Sequence, residues 1–548
     1  MDPAEPPEPA LRSASGAPAP RAAAPSAWAP LRWPIFRALW IASVASYVGT
    51  WMQEVGAAWL MTTLTASPLV ISLVQSATTL PVVLLALIAG ALADVVDRRR
   101  LLLVTQGWML LASGLLGFLT LAGWIDERSL LLLSFLLGVG AALNAPAWQA
   151  IVPELVAREE LHAALTLNGL GINMARAVGP ALGGLLVASL GPAAAFLLNA
   201  VSFLGVLMVL FVWDRPARRS YLPAETLLGA VQAGLRYARH APGLRAVLLR
   251  SGSFILCGSA LWALLPVLVR HDLGRGPAFY GLMLGCLGAG AVAGALLLPS
   301  FRRLLSTQAL LAAAIALMAL VLVSLSALRS PAGIALVMGA AGASWIALLT
   351  TFHAAAQAAL APWVRGRGLA VYLLVFFGGM ALGSIVWGAV AERWGPRAAF
   401  LLAGAGALVG LAASFRMRLP EGPALDLAPS RHWPAPPVVD TRGGDPGPVL
   451  VTVEYRIEPP TAEEFARAMR EVRRIRLRDG AIRWDLLTDP SDPGRYVESF
   501  LVDSWLEHLR QHERITAADR AVEQRARHYH VGTQPPVVSH FIARELPR

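Results

Sequence analysis

The chain has 548 residues, 56% of them hydrophobic and only 15% charged, with a mean hydropathy of +0.57. Soluble domains carry about a quarter charged residues, so this balance excludes an ordinary soluble protein. The net charge of +11 would suggest nucleic acid in a soluble chain. Here the basic residues, all of them arginine, fall in short loops between apolar runs, as in integral membrane proteins, so no nucleic-acid partner is expected. Cys257 and Cys286 both lie inside apolar runs. They make neither a disulfide framework nor a metal-ligand spacing, so no metal and no cofactor is expected.

Residues 1–34, rich in Pro, Ala and Ser, read as a disordered cytoplasmic tail. Beyond them, apolar runs broken by Gly, Pro or charge predict twelve membrane-spanning helices, each near the ~20 residues a bilayer requires. Six lie at about 36–62, 68–93, 100–123, 129–151, 161–189 and 193–213, making an N-terminal half over 35–213. A polar stretch at 214–246 follows. In it Leu227, Leu228, Val231 and Leu235 are spaced for one side of an amphipathic helix on the inner membrane face, the alternative being a plain linker with helical character. Six more spans lie at about 247–270, 278–299, 305–328, 332–358, 367–392 and 397–416, making a C-terminal half over 247–416.

Arginine placement sets the expected orientation. Arg98, Arg99, Arg100, Arg158, Arg302, Arg303, Arg365 and Arg367 follow even-numbered spans, and the middle stretch adds Arg215, Arg218, Arg219, Arg236, Arg239 and Arg245. This bias puts the middle stretch and both termini in the cytoplasm of a bacterial cell, with the spans in its inner membrane. The chain also repeats itself. GALADVVDRRR begins at Gly90 and the thinner copy GALLLPSFRR at Gly294, an offset of 294 − 90 = 204. GLLVASLGPAAAF at Gly184 and GAVAERWGPRAAF at Gly388 share it, since 388 − 184 = 204. A six-span unit therefore occurs twice in one direction, with an axis along the membrane normal between the copies.

Residues 417–447 are a Pro/Gly-rich linker. Over 448–548 the pattern becomes that of a soluble α+β domain. VLVTVEYRI alternates like a strand, TAEEFARAMREVRRIRLRD reads as a helix opened by a Thr461–Glu464 capping box, and two strands, one helix and a last strand follow. The order βαββαβ is that of a ferredoxin-like domain. His508 and His512, one helical turn apart, could in principle bind metal. No third ligand is placed by sequence, so they read as solvated surface residues. The expected fold class is thus an all-α membrane protein of twelve transmembrane helices in two six-helix parallel repeats, plus a small C-terminal α+β ferredoxin-like domain.

Charge inside hydrocarbon is costly and marks functional candidates. Arg176 lies mid-span and should face a central cavity, holding an anionic substrate or pairing with Glu54. Glu54, if shielded from water, suits a proton carrier. Asn144 and Asn173 join the candidate pathway, as do His353 and Gln357 one turn apart. The amides among these, with Asn168, Gln75 and Gln106, serve equally as interhelical hydrogen-bonding groups. Trp51, Trp59, Trp148 and Trp262 belong either to the cavity or to interfacial belts. Gly179, Pro180, Gly183 and Gly184 form a packing motif, with a helix bend at the proline and close approach at the glycines. In the opening loop, Asp94 is placed to meet Arg365, Arg367 or their helix N-terminus in the other half. Such a pair, with Asp97, would latch the inner side while Arg98, Arg99 and Arg100 face lipid headgroups.

Twelve spans in two parallel halves resemble the major facilitator superfamily, and Gly90, Asp94, Arg98, Arg99 and Arg100 occupy its loop signature between spans two and three. Val95 and Asp97 depart from that signature. LADVVDRRR, NAPAWQAIVPELV and LNGLGINMARAVGPALGG resemble the branch of bacterial exporters that includes enterobactin-type siderophore efflux proteins. GPALGG resembles the antiporter signature of the superfamily, although Ala175 stands where an upstream glycine is usual. The resemblance implies proton-driven export of a small organic molecule by alternating access, with protons, substrate and membrane lipids as partners. The C-terminal domain is similar to one carried by some members of this branch and to antibiotic-biosynthesis monooxygenase domains, which implies a dimerising or regulatory module. No Gly-rich loop ends in Lys-Ser or Lys-Thr, so ATP-driven pumping by this chain is not expected. The alternatives are a membrane-anchored enzyme and a ligand sensor, each acting through the C-terminal domain.

Overall fold

A computed structural model describes residues 26–213, 227–415, 426–430, 432–434 and 445–543. The first half contains α1 (Pro34–Leu64), α2 (Pro68–Val95), α3 (Arg98–Leu121), α4 (Glu127–Leu155), α5 (Leu161–Leu190) and α6 (Pro192–Val212). Proline opens α1, α2 and α6 at a position whose N–H would go unpaired anyway. Ser67, Asp97 and Asp126 cap α2, α3 and α4 by accepting from Val70, Arg100 and Ser129 N–H. A short helix, α7 (Leu227–His240), leads to α8 (Pro242–Val267), α9 (Pro277–Leu304), α10 (Thr307–Ala327), α11 (Pro331–Ala358) and α12 (Arg365–Ser414).

Ten helices among the described residues are long and apolar enough to cross a bilayer. Two features separate this number from the twelve expected. The 31-residue α1 carries a polar stripe that lowers its hydropathy. The 50 residues of α12 are two helical arms joined at Gly395, whose φ of 82° and ψ of 159° are non-helical. Gly191, between α5 and α6, has nearly the same backbone (φ 81°, ψ 168°), and 395 − 191 = 204. Both glycines sit at positive φ, which a side chain would strain, and both precede a proline that starts the next arm.

The halves meet along two helix pairs. Helix α2 runs antiparallel to α12: Ser67 Oγ and Leu69 N donate to Glu392 Oε2 at 2.7 and 3.2 Å, and Ser76 Oγ donates to Ala381 O at 2.9 Å. Helix α5 lies on α9 so closely that a Cβ built on Gly184 would stand 2.5 Å from Gly281 Cα. Gly388, 204 residues after Gly184, likewise faces Ser72 across the halves.

The C-terminal domain places β1 (Val449–Arg456), α13 (Ala462–Asp479), β2 (Ala481–Asp489), β3 (Asp492–Val502), α14 (Trp505–Arg514), α15 (Ala517–Arg527) and β4 (Val537–Ile542) in one unit. The antiparallel sheet has the order β2-β3-β1-β4. Val453, Tyr455, Phe465, Met469 and Val472 bury its core between sheet and α13. Three expectations are corrected here. Thr461 caps nothing with its side chain; it ends a 3-10 turn and its hydroxyl donates to Glu458 O at 3.1 Å. The single helix expected after Ser504 is two, because Thr516 and Asp519 form a capping box that starts α15 afresh. His508 is no surface residue: it is 1% exposed and packed against His512 and His540.

This domain docks on one end of the membrane bundle. Arg236 of α7 pairs with Glu507 at 3.1 Å, Arg514 lies 4.7 Å over the Trp363 ring and Arg478 lies 5.6 Å over Tyr237. The Tyr237 hydroxyl in turn donates to Ala359 O at 3.0 Å and accepts from Ala361 N at 3.2 Å. The buried side of α7 is therefore Ala233, Tyr237 and Ala238, while Leu235 is exposed and the side chains of Leu227, Leu228 and Val231 lie outside the described residues.

Candidate functional site: a cavity between the two halves

A cavity of about 440 Å³ sits at mid-bundle, walled mostly by the first half and closed on one side by Trp262, Pro266, Tyr280 and Leu284 of the second. Helix α1 supplies its polar floor. Tyr47, Thr50, Trp51, Glu54 and Ala58 recur at three- and four-residue spacing, which puts them on one helix face. Glu54 projects into the cavity and makes no hydrogen bond or ion pair among the described residues.

Behind and around it the wall is polar. Asn144 lines the cavity and its Oδ1 accepts from Thr105 Oγ1 at 3.0 Å and Gln106 Nε2 at 3.2 Å. A second node joins α1, α3 and α6: Gln53 Oε1 accepts from Ser113 Oγ and Asn199 Nδ2, both at 2.6 Å. Two buried atoms of the lining, Gln106 Oε1 and Trp262 Nε1, have no partner among the described residues. Buried polar atoms in native proteins are nearly always paired, so one acceptor and one donor here are free to meet a polar ligand.

Arg176 does not bridge to Glu54. Its guanidinium stacks on Trp51, 5.7 Å from the ring centroid, and acts on Glu54 only through space. From Trp51 an aromatic series crosses into the second half, through Trp262 at 6.2 Å and Trp345 at 5.5 Å to Phe376 at 6.5 Å. It continues to Tyr372 and ends at His353. His353 and Gln357 bond each other at 2.9 Å and lie outside the cavity lining. Asn173 also lies outside it, donating to Gly169 O of its own helix at 2.9 Å, while Asn168 lines the wall instead.

The packing motif has a definite place. A Cβ on Gly179 would lie 2.6 Å from Trp51 Cβ and one on Gly183 2.8 Å from Met52 Cα, so α5 can press on α1 only through glycine. Gly184, with the Pro180 carbonyl, meets Gly281 in the other half. The motif thus fixes Trp51 on the cavity side and an inter-half crossing on the other.

The loop residues divide. Arg98 donates to Glu154 at 2.8 Å and to Ala150 O at 3.1 Å, and Arg99 donates to Leu210 O and Phe211 O, each at 2.8 Å. Arg99 therefore satisfies carbonyls at the C-terminus of α6, where helices favour cations. Asp97 caps α3, Arg100 is exposed, and a Cβ on Gly90 would meet nothing within 4 Å. These contacts lie inside the first half and brace it. The side chain of Asp94 lies outside the described residues; its helix α2 runs antiparallel to α12, toward the end where Arg365 and Arg367 stand. Arg365 is exposed, and Arg367 lies within electrostatic reach of Glu507, Arg510 and Arg514 of the C-terminal domain.

Sequence reasoning missed the Gln53–Ser113–Asn199 node and the Glu392 bond to α2. Glu392 had a signal: at the sequence offset of 204, 392 − 204 = 188, and Ala188 stands there.

The model of a family described as transmembrane secretion effector matches residues 25–548. The chain is 28% identical over 413 residues to the multidrug efflux pump Tap of Mycolicibacterium fortuitum, covering 72% of this chain and 98% of that protein. It is 25% identical over 265 residues to the staphyloferrin A transporter of Staphylococcus aureus, covering 47% of this chain and 65% of that protein. It is 29% identical over 268 residues to the enterobactin exporter EntS of Salmonella typhimurium, covering 48% and 63%. The alignment thus spans just under two thirds of either siderophore transporter. Among solved structures, the nucleoside transporter NupG superposes with a TM-score of 0.59 at 13% identity, over 70% of this chain and 99% of that one. An inward-facing bacterial homologue of the lysosomal transporter Spinster gives 0.57 at 14% identity, over 71% and 97%. At such identities the likeness is one of fold, and the fold is that of a multi-pass membrane transporter.

Proposed function

We propose, on the premise that the chain belongs to the transmembrane secretion effector family, that it exports a small organic molecule, siderophore- or drug-like, in exchange for protons. By name EntS exports enterobactin and Tap is a multidrug efflux pump, and the structural neighbours are transporters. An enzymatic role is not favoured.

The supporting architecture is alternating access. We count α1 and both arms of α12 as spans, which makes twelve in two six-helix repeats. The matched Gly191 and Gly395 backbones, and the shared crossing role of Gly184 and Gly388, support that repeat. The arginine-rich loops assign the docked domain, and both termini, to the cytoplasm of a bacterial cell and the spans to its inner membrane. On that orientation the contacts through Glu392 and Gly281 close the outer side, and Asp94 with Arg365 or Arg367 would close the inner side in the opposite state. The C-terminal domain is read as a ferredoxin-like module. The side of its sheet that bears Leu450, Leu487 and Phe541 is open for pairing with a second copy.

One observation carries the reading: Glu54 stands in the cavity without a partner, between wall groups that suit an amphipathic aromatic ligand. Protonated, it leaves the cavity neutral for the return step; ionised, it holds a substrate donor or cation. The test is substrate uptake into inverted membrane vesicles over a panel of siderophores and drugs, with and without a proton gradient. Wild type should respond to the gradient, and Glu54→Gln should lose that response at least tenfold while still giving substrate counterflow. A wild type indifferent to the gradient, or a Glu54→Gln protein that keeps its response, overturns proton coupling; saturable binding without counterflow marks a sensor instead.

A further inference from the structure

A cavity of about 860 Å³ lies between the docked C-terminal domain and the second half of the bundle, well away from Glu54. Its floor is membrane protein: Val247 of α8, Leu305 and Leu310 at the α9–α10 turn, and Ala354 and Ala358 near the end of α11. Its roof is the soluble domain, through Arg474, Ile475 and Val522. A site made of an apolar floor at the membrane boundary and a charged roof is amphipathic by construction.

Its charge is unbalanced. The two carboxylates in the wall are already engaged, Glu471 with Arg525 at 2.6 Å and Asp519 with Arg478 at 2.7 Å. Arg302 and Arg474, also in the wall, have no hydrogen bond or ion pair among the described residues, and neither do Arg303 and Arg473 beside them. His240 in the same wall is held below the usual histidine range by burial and then by Arg239, Arg473, Arg236 and Arg245. The repeat sharpens the point. In the first half the corresponding loop arginines, Arg98 and Arg99, are tied to protein acceptors, whereas in the second half Arg302 and Arg303 are not. The Thr351 hydroxyl, buried in the floor, also has no partner among the described residues.

Lateral access comes from α9, whose Leu296, Leu297, Phe301 and Leu304 are all exposed on the way to this cavity. We propose that the cavity binds an anionic phospholipid of the inner leaflet. Its phosphate lies between Arg302 and Arg474, an ester oxygen accepts from Thr351, and its acyl chains run down over Leu305 and Leu310 onto α9. Basic pockets of this kind at the cytoplasmic ends of membrane helices suit anionic headgroups. The bound lipid would tie the soluble domain to the bundle. The proposal rests on the membrane-spanning fold and the cytoplasmic placement of the docked domain, and not on transport.

The test is native mass spectrometry of the delipidated full chain, titrated with phosphatidylglycerol, phosphatidylcholine or inorganic phosphate. Phosphatidylglycerol should bind at least tenfold more tightly than phosphatidylcholine. That preference should fall at least tenfold in Arg302→Gln/Arg474→Gln and stay unchanged in Arg128→Gln, an exposed arginine at another turn. Hydrogen exchange of both variants confirms that they are folded. Equal binding of the two lipids overturns the proposal, as does an unchanged preference in the double variant. Saturation by inorganic phosphate with no lipid preference assigns the site to a soluble phosphate ester and likewise overturns it.

Discussion

The cavity of the membrane bundle and the core of the C-terminal domain treat charge in opposite ways. In the domain every buried charge closes on others. Arg476 meets Glu498 at 2.9 Å and also Glu523, while Arg478 is held by Asp479 and Asp519, both at 2.7 Å. Trp484 donates to Glu498 at 3.0 Å, and His432 and Trp433 cover Glu523. In the bundle Glu54 is left open to a cavity and Arg176 rests on a tryptophan face. A closed network fixes one arrangement. An open charge can change partner or protonation, which a carrier requires in every cycle.

The sharpest way to break the comparison is inside the domain. Arg476→Ala would leave Glu498 and Glu523 buried without their cation, which typically costs about 3–5 kcal/mol. Hydrogen exchange in the full chain should show faster exchange through α13 and β3, with the bundle helices unchanged. If the loss is no larger than for an exposed arginine such as Arg456, the network is not structural and the contrast fails.

Acidification probes the same network without mutation. Burial, then the neighbouring His512, pushes His508 down to about 4, and burial, then His540, pushes His512 down to about 4. The unfolded chain takes up these protons below about pH 6.5. The folded domain therefore binds fewer protons, and its stability falls as pH drops from 6.5 toward 4. Burial alone would raise Glu523, but Arg476, His432 and Trp433 hold it down at about 2. Its contribution is present above about pH 4.5 and is lost as pH falls toward 2. Exchange in α14 should accelerate through the upper window first. His512→Gln should reduce the loss across that window, leaving the part due to buried His508, and leave the lower window in place. A flat profile between pH 7 and 4 would mean that the histidines titrate normally.

Legibility followed the range of the interaction. Membrane helices and the four strands are set by local apolar length and alternation, so they could be read directly; β1, for instance, alternates buried and less buried residues along Val449–Arg456. Glu54 and Asn144 stood out because polar atoms in an apolar run are costly, and both line the cavity. Asn173 carried the same signal yet turns back on its own helix, since helix rotation is decided by neighbours the sequence does not name. His508 looked solvated because its cover comes from Trp505 and from His540 at the far end of the domain. The gap between α14 and α15 was written locally, as Thr516 followed by Asp519, and was obscured by continuous helix propensity on both sides.

The smallest expected effect lies where the bundle itself borrows the domain's device. Glu392 closes on Ser67 and the α2 N-terminus, as a carboxylate in the soluble domain would, but it does so exposed to solvent. Such hydrogen bonds contribute about 0.5–1.5 kcal/mol each, and helix-end charge another fraction of that. Replacing the carboxylate by Glu392→Ala should therefore shift the balance between closed and open states of this end by roughly tenfold. Glu392→Gln, which keeps an acceptor, should shift it less. Distances between spin labels at Thr65 and Arg393, in a background lacking Cys257 and Cys286, report that balance. An unchanged distance distribution in Glu392→Ala would show that glycine packing alone holds this end. The weakness is itself a requirement: a contact that must part and re-form with each substrate cannot be buried as Arg476 is, because the desolvation that makes Arg476 costly to remove would make an inter-half latch too slow to open.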